Sequence, residues 1–200
     1  EVCAYLEEQG FRVSYIGVDE TGLLDLEALE RAITPQTILI SVMHANNETG
    51  IIQPVEEIGK IAREHKVVMH TDAVQTAGKI TIDVNRLNAD MLSISAHKFH
   101  GPKGAGALYL RKGVKLSPLF HGGHHEFNKR AGTENVPGII GMAAAAELAI
   151  NSLTDGTHDR IRKLRDMLED GILEAVPEVK VNGPRGSRVD NTLNISFKYI

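Results

Sequence analysis

Lys98, Asp72 and Gln75 are the side chains whose types and spacing suggest covalent chemistry on an amine. Lys98 follows the apolar run Met91 to Ser95 and a Ser95-x-His97 lead-in, and it precedes the turn Gly101-Pro102-Lys103-Gly104. Its amine is therefore expected at the end of a strand, beside flexible backbone. A lysine there can form an imine, provided that desolvation or a nearby cation lowers its pKa enough to free the amine. Asp72 closes the run Val67 to Thr71, where a carboxylate either caps the next helix or meets a cationic ligand. Gln75 lies three residues on, within reach of the same crevice. Taken singly, these are an exposed loop lysine, a cap and a solvated amide. Together they meet the needs of pyridoxal 5′-phosphate (PLP). That cofactor requires an amine for its aldehyde and an acid for its pyridine nitrogen, because the protonated ring drains electrons from a substrate α-carbon. Gln75 could hydrogen-bond the phenolic oxygen.

Apolar runs rich in β-branched residues alternate with amphipathic stretches, the pattern of βα units around a mostly parallel sheet covered by helices. The patterning predicts strands over Arg12 to Ile16, Thr37 to Met43, Val67 to Thr71, Met91 to Ser95 and Ala105 to Leu110. It predicts helices over Asp25 to Ile33, Val55 to His65 and Val136 to Ser152, the second opening after Pro54. Composition turns small and polar near Leu153 to His158. A charged helix, Asp159 to Ala175, and strands Val179 to Asn182 and Thr192 to Phe197 follow. The expected division is thus a larger α/β domain over 1–152 and the start of a smaller one over 153–200. In open α/β sheets ligands bind outside the carboxyl ends of the strands. Three polar clusters fall there: His44 to Gly50, Asp72 to Gln75, and Ser95 to Gly104.

Composition narrows the partners. The chain has 22 basic and 26 acidic residues and a net charge of −4, spread without a basic stripe, which disfavours nucleic acid. There is no Trp for a base-stacking surface. No apolar stretch reaches the roughly 20 residues that span a bilayer, so an aqueous, cytoplasmic setting is expected. The single cysteine, Cys3, excludes an internal disulfide. His121, His124 and His125 sit in a glycine-flexible loop that offers little preorganisation for zinc, and no metal is expected.

The motifs His70-Thr71-Asp72-Ala73-x-Gln75 and Ser93-x-Ser95-x-His97-Lys98-x-x-Gly101-Pro102-Lys103-Gly104 resemble those of cysteine desulfurases, PLP enzymes of fold type I in the class V aminotransferase family. So do Met43-His44-Ala45-Asn46-Asn47-Glu48-Thr49-Gly50 and Arg130-Ala131-Gly132-Thr133-Glu134-Asn135, and the wording is that of the nitrogen-fixation and iron-sulfur-assembly branch. The resemblance implies that Lys98 binds PLP covalently, Asp72 pairs with the pyridinium and Gln75 holds the phenolic oxygen. It further implies that Ser95 and His97 hold the phosphate, and that Asn47 lies beside the phenolic oxygen and the substrate carboxylate. Thr133 would reach the phosphate bound by the partner of a homodimer. Local hydrogen bonding in turns or caps remains the alternative for Ser95, Asn47 and Thr133. The implied reaction takes L-cysteine to L-alanine, with Lys98 or His97 shuttling protons and sulfur passing to an enzyme cysteine and then to an acceptor scaffold. That cysteine and the substrate-clamping arginine are expected outside these residues, which read as part of a longer chain. Cys3 is expected to be a packed, inert thiol. Other class V PLP activities, such as selenocysteine lyase or aminotransferase, share the same motifs, as would a non-catalytic fragment that binds a partner subunit. The chain departs from the family pattern at His125-Glu126-Phe127-Asn128-Lys129, just before the Thr133 loop.

Overall fold

The computed structural model describes residues 1–199. Helices α1 (Val2–Glu8) and α2 (Leu26–Ala32) precede strand β1 (Leu39–Met43), and α3 (Val55–Glu64) leads to β2 (Val68–Asp72). Then come β3 (Met91–Ser95), a short 3-10 helix (Ala96–Phe99) and β4 (Gly106–Leu110). Helices α4 (His125–Asn128), α5 (Val136–Ser152) and α6 (Thr157–Ala175) follow, then β5 (Val179–Val181) and β6 (Ile195–Phe197). Strands β1 to β4 form one sheet in that order, with the first three parallel and β4 antiparallel on the edge. Strands β5 and β6 pair separately.

Alternation along the strands decides which face is covered. Ile40, Met69 and Leu92 point to one side and are buried with Leu29 of α2 and Val55, Ile58 and Ala62 of α3. Burial of such side chains contributes about 1.5–3 kcal/mol each. Asp25 caps α2 by accepting from the Ala28 amide at 2.9 Å. The opposite face carries Leu39, Ser41, Met43, His70 and Leu108, of which all but the partly buried His70 are exposed. The expected helices over a mostly parallel sheet are present, with α2 and α3 on the face of Ile40, Met69 and Leu92, while Ser41, His70 and Ser93 make the other face more polar.

Two expectations are corrected. Residues 12–16 form no strand, since an extended segment needs a ladder partner and, among the described residues, only the single bridge Val18 to Leu24 forms nearby. Cys3 is exposed, because α1 buries none of its residues. Ionic contacts tie α6 to the segment before β6. The Arg162 Nε donates to Asp190 at 2.7 Å, Arg165 Nη1 to the Val189 carbonyl at 3.1 Å, and buried Arg188 pairs with buried Glu169. Among the described residues no single helix is long and apolar enough to cross a membrane.

Candidate active site

Asp72 is the last residue of β2, flanked by Met43 of β1 and Ser93 of β3. The ladder carries on past it, since the His44 amide donates to the Asp72 carbonyl at 2.8 Å and the Ala73 amide to the Ser93 carbonyl at 2.9 Å. Its side chain is exposed. The Oδ1 accepts from the Val74 amide at 2.9 Å, closing an Asx turn rather than capping an α-helix, as no α-helix lies between β2 and β3. Its Oδ2 has no partner among the described residues and is open to an outside donor. Ala73 and Thr76 are buried beneath this turn and anchor it.

Gln75 is half-buried, and its Oε1 accepts from Lys79 Nζ at 3.4 Å. With the oxygen so engaged, the amide N–H2 is the end left over, a donor suited to a phenolic oxygen. Sequence reasoning passed over Lys79, although it stands four residues from Gln75. Burial pushes its pKa down, and the charge of Lys98 adds to the effect, so the two ammonium groups share a neighbourhood.

Lys98 sits in the 3-10 helix after β3. Ala96 and Phe99 are buried and pack with Ala145 of α5, so the residues between them, His97 and Lys98, face solvent. The chain then leaves through His100, whose φ of 67° is left-handed, into Gly101. A Cβ on Gly101 would stand 2.9 Å from the Ala96 Cβ and 3.2 Å from that of Ala145, which is why this position has none. No hydrogen bond or ion pair engages the Lys98 amine among the described residues. Ser95 Oγ and His97 Nδ1 lie 2.8 Å apart, leaving His97 Nε2 unengaged.

The turn after β1 is built by Asn46 rather than Asn47. The Asn46 Oδ1 accepts from the amides of Glu48 and Thr49, both at 2.9 Å, and Asn47 is left exposed. Two residues earlier, buried His44 meets Thr76 Oγ1 through Nδ1 at 3.0 Å. Thr76 passes its own proton to the Ala73 carbonyl at 3.2 Å, so His44 Nδ1 is the donor. Burial holds the His44 pKa down at about 4, and the neutral ring pins the β1 turn to the β2 turn. Sequence reasoning had His44 inside a motif without a role for it.

The structure therefore brings Asp72, Gln75, Ser95, His97 and Lys98 to the carboxyl edge of β2 and β3, with Asn47 on the adjoining turn. Thr133 is not drawn in. It is exposed in the loop before α5, and no hydrogen bond among the described residues joins it to the strand ends. Nearby, Glu126, Phe127 and Asn128 have φ of 48°, 53° and 64°, and His124 Nδ1 contacts Asn128 Oδ1 at 2.6 Å. Among the described residues no three acidic, histidine or cysteine side chains come together as metal ligands.

The groups fit PLP in kind: a carboxylate oxygen to accept from a ring N–H, an amide N–H2 to donate to a phenolic oxygen, a hydroxyl and an imidazole for phosphate, and an unpaired amine for the aldehyde. An α/β sheet with this edge defines the class: a PLP-dependent enzyme scaffold of fold type I. The chain belongs to the aminotransferase class-V family, whose pattern it matches over residues 2–200 and whose members use PLP. It is 52% identical over 200 residues to the cysteine desulfurase IscS of Dictyoglomus turgidum, covering all of this chain and 50% of that one. It is 52% identical over 198 residues to IscS of Methanosarcina thermophila, covering 99% of this chain and 48% of the relative. A solved NifS-like protein superposes with a TM-score of 0.93 at 44% identity, over 99% of this chain and 54% of that one. SspA in complex with cysteine superposes at 0.84 and 38%, over 98% and 54%. The chain spans about half the length of the curated relatives it matches.

Proposed function

We propose that the parent protein of this chain is a cysteine desulfurase in which Lys98 is the covalent anchor for PLP. The observation that carries this is the unpaired Lys98 amine and the open Asp72 Oδ2 at neighbouring strand ends, each held by buried neighbours. Relatives named cysteine desulfurase along the full chain, and a similar protein solved with cysteine, support the substrate.

Asp72 Oδ2 would accept the ring N–H and keep it protonated, Gln75 would donate to the phenolic oxygen, and Ser95 Oγ with His97 Nε2 would hold the phosphate. The bound cofactor supplies an electron sink for bonds at the substrate α-carbon. Asn47 would orient the substrate carboxylate, and Lys98 Nζ, backed by His97, would carry the proton between successive positions. A cysteine elsewhere in the parent protein would attack the substrate sulfur as the Cβ–S bond breaks, its electron pair staying on the carbon that becomes the alanine methyl group, and the persulfide sulfur would then pass to an acceptor scaffold for iron-sulfur cluster assembly. Cys3 does not serve here, being on α1 and remote in sequence from every motif.

The same proposal divides the chain into a larger domain over 1–152 and the start of a smaller one over 153–200, supported by the separate β5–β6 sheet. It makes the protein a cytoplasmic homodimer in which Thr133 serves the partner's phosphate. The test is borohydride reduction of the PLP-loaded full-length protein and peptide mass mapping. The adduct is expected on Lys98 and absent in Lys98→Ala, while alanine and sulfide form from L-cysteine only in the full-length protein. An adduct on Lys103 or Lys112 would show the anchor to be wrong.

A further inference from the structure

Three strands contribute one side chain each to a polar row across the face of the sheet opposite α2 and α3. Ser41 of β1 stands opposite His70 of β2 in the ladder, and Ser93 of β3 stands opposite Asp72. Ser41 Oγ lies 2.8 Å from His70 Nδ1, and His70 Nε2 lies 2.9 Å from Ser93 Oγ. Both ring nitrogens are therefore engaged, each by a hydroxyl on a different neighbouring strand. A hydroxyl can donate or accept, so a neutral imidazole is satisfied in either tautomer. With both nitrogens tied, the ring cannot turn about its own bond without breaking two hydrogen bonds at once.

Residues two apart on a strand share a face and stand about 7 Å apart. His70 is thus the neighbour of Asp72 on the same side. The groups facing it on β1 are Leu39, Ser41 and Met43, and on β3 Met91, Ser93 and Ser95, none of them acidic or basic. Asp72 is the charge that acts on it. Burial holds the His70 pKa below its ordinary value, and the Asp72 carboxylate pulls it partly back. Apolar residues at these three positions would extend the face that Leu39, Met43 and Leu108 begin, so packing alone does not call for Ser, His and Ser.

We propose that His70, pinned by Ser41 and Ser93, is a positioning residue that fixes the carboxylate of Asp72 and the lateral spacing of the strand ends carrying the site. It acts through Asp72 and touches no reacting atom. The proposal rests on the reading of Asp72 as the partner of a protonated ring.

Coupling between two charges is reciprocal, so it can be read from either side. In the full-length protein without cofactor, the titration midpoint of the His70 ring is followed by NMR. Asp72→Asn should lower that midpoint by several tenths of a pH unit, and an unchanged midpoint overturns the proposal. In the PLP-loaded protein, the pH midpoint of the visible absorption band is followed in His70→Phe and His70→Gln, alongside the melting temperature. His70→Phe should move the midpoint by about half a unit or more, and His70→Gln, which keeps a donor and an acceptor, should restore most of it. Ser41→Ala and Ser93→Ala should each give a smaller shift in the same direction. If melting temperatures fall but the midpoint stays fixed in all four, His70 serves the fold only and the proposal is wrong. If the unmodified protein takes up no PLP, the cofactor reading itself falls and the proposal with it, whereas a yellow protein with an unmoved midpoint removes the His70 role alone.

Discussion

The carboxyl edge of the β1–β3 sheet and the loop from Leu119 to Asn135 both carry residues of the family motifs, but they hold them by different means. At the edge, exposed and buried residues alternate along one short stretch. Asp72 stands on buried Thr71 and Ala73, and Lys98 stands between buried Ala96 and Phe99. In the loop, Leu119 is 83% exposed, Phe127 is 88% exposed, and three successive residues take left-handed backbone. Its own contacts are short-range: Asn128 to His124, Arg130 stacked over Phe120, and the Ala131 amide to the Phe120 carbonyl. Chemistry placed at the edge is organised by this chain's own core. Chemistry placed in the loop, Thr133 above all, depends on whatever the loop rests against.

The sharpest way to break that contrast is Asp72→Asn in the full-length enzyme. The amide keeps the shape and the Val74 contact but cannot hold a ring proton, so PLP should stay bound while turnover falls on the order of 100-fold, about the 3 kcal/mol of a strong charged hydrogen bond. Near-normal turnover would mean that the edge is not the chemical centre.

A second expectation concerns the pin beneath the edge. An unfolded histidine takes its proton near pH 6.5, whereas folded His44 resists it down to about 4. Between those values the unfolded chain binds more protons, so stability falls as pH drops through the window, by about 3 kcal/mol in all. His44→Asn keeps an N–H for Thr76 and removes the titration. Denaturant melts from pH 7 to 4.5 should therefore show a shallower loss in the variant, and parallel curves would contradict this account of the pin.

Gln75→Ala should be milder than Asp72→Asn, about fivefold in turnover, since one uncharged hydrogen bond contributes about 1 kcal/mol net. Equal losses in a side-by-side kinetic assay would overturn the ranking. The smallest effect is expected in the loop. Asn128 already accepts φ of 64°, and Asn128→Gly should shift thermal stability by less than about 0.5 kcal/mol. A large loss would show that the His124 contact, and not backbone conformation, sets the loop.

Much of the edge could be read from residues alone. Strand β3 falls where the pattern puts it, β1, β2 and β4 within a residue or two, and α5 over Val136–Ser152 as expected. A short apolar run ending in Asp or in Ser-x-His-Lys announces both the strand and its exposed end. Residues 12–16 have the same local pattern but no ladder partner among the described residues, and pairing is not a property of a five-residue window. His44 and His70 were inside recognised motifs, yet their work depends on hydroxyls far away in sequence, Thr76 for one and Ser41 and Ser93 for the other. The adjacent asparagines were told apart only by the turn that Asn46 closes. Cys3, expected to be packed, is exposed, because the periodicity of a seven-residue helix does not ensure that any of its faces is buried.

The turn that carries Asn47 is also clamped by residues far along the sequence, 187 to 194. The Ile52 amide donates to the Ser187 carbonyl and the Val189 amide to the Gly50 carbonyl, while Asn194 Nδ2 reaches the Glu48 carbonyl across 146 residues. Closing so long a loop carries an entropic cost that grows as the logarithm of its length. During synthesis from the amino end, β1, β2 and β3 can pair as soon as they emerge, whereas this turn waits for residues near 190. The edge is thus completed in two stages: the lysine and the carboxylate are set early, and the asparagine beside them is fixed only once residues 187–194 have been made.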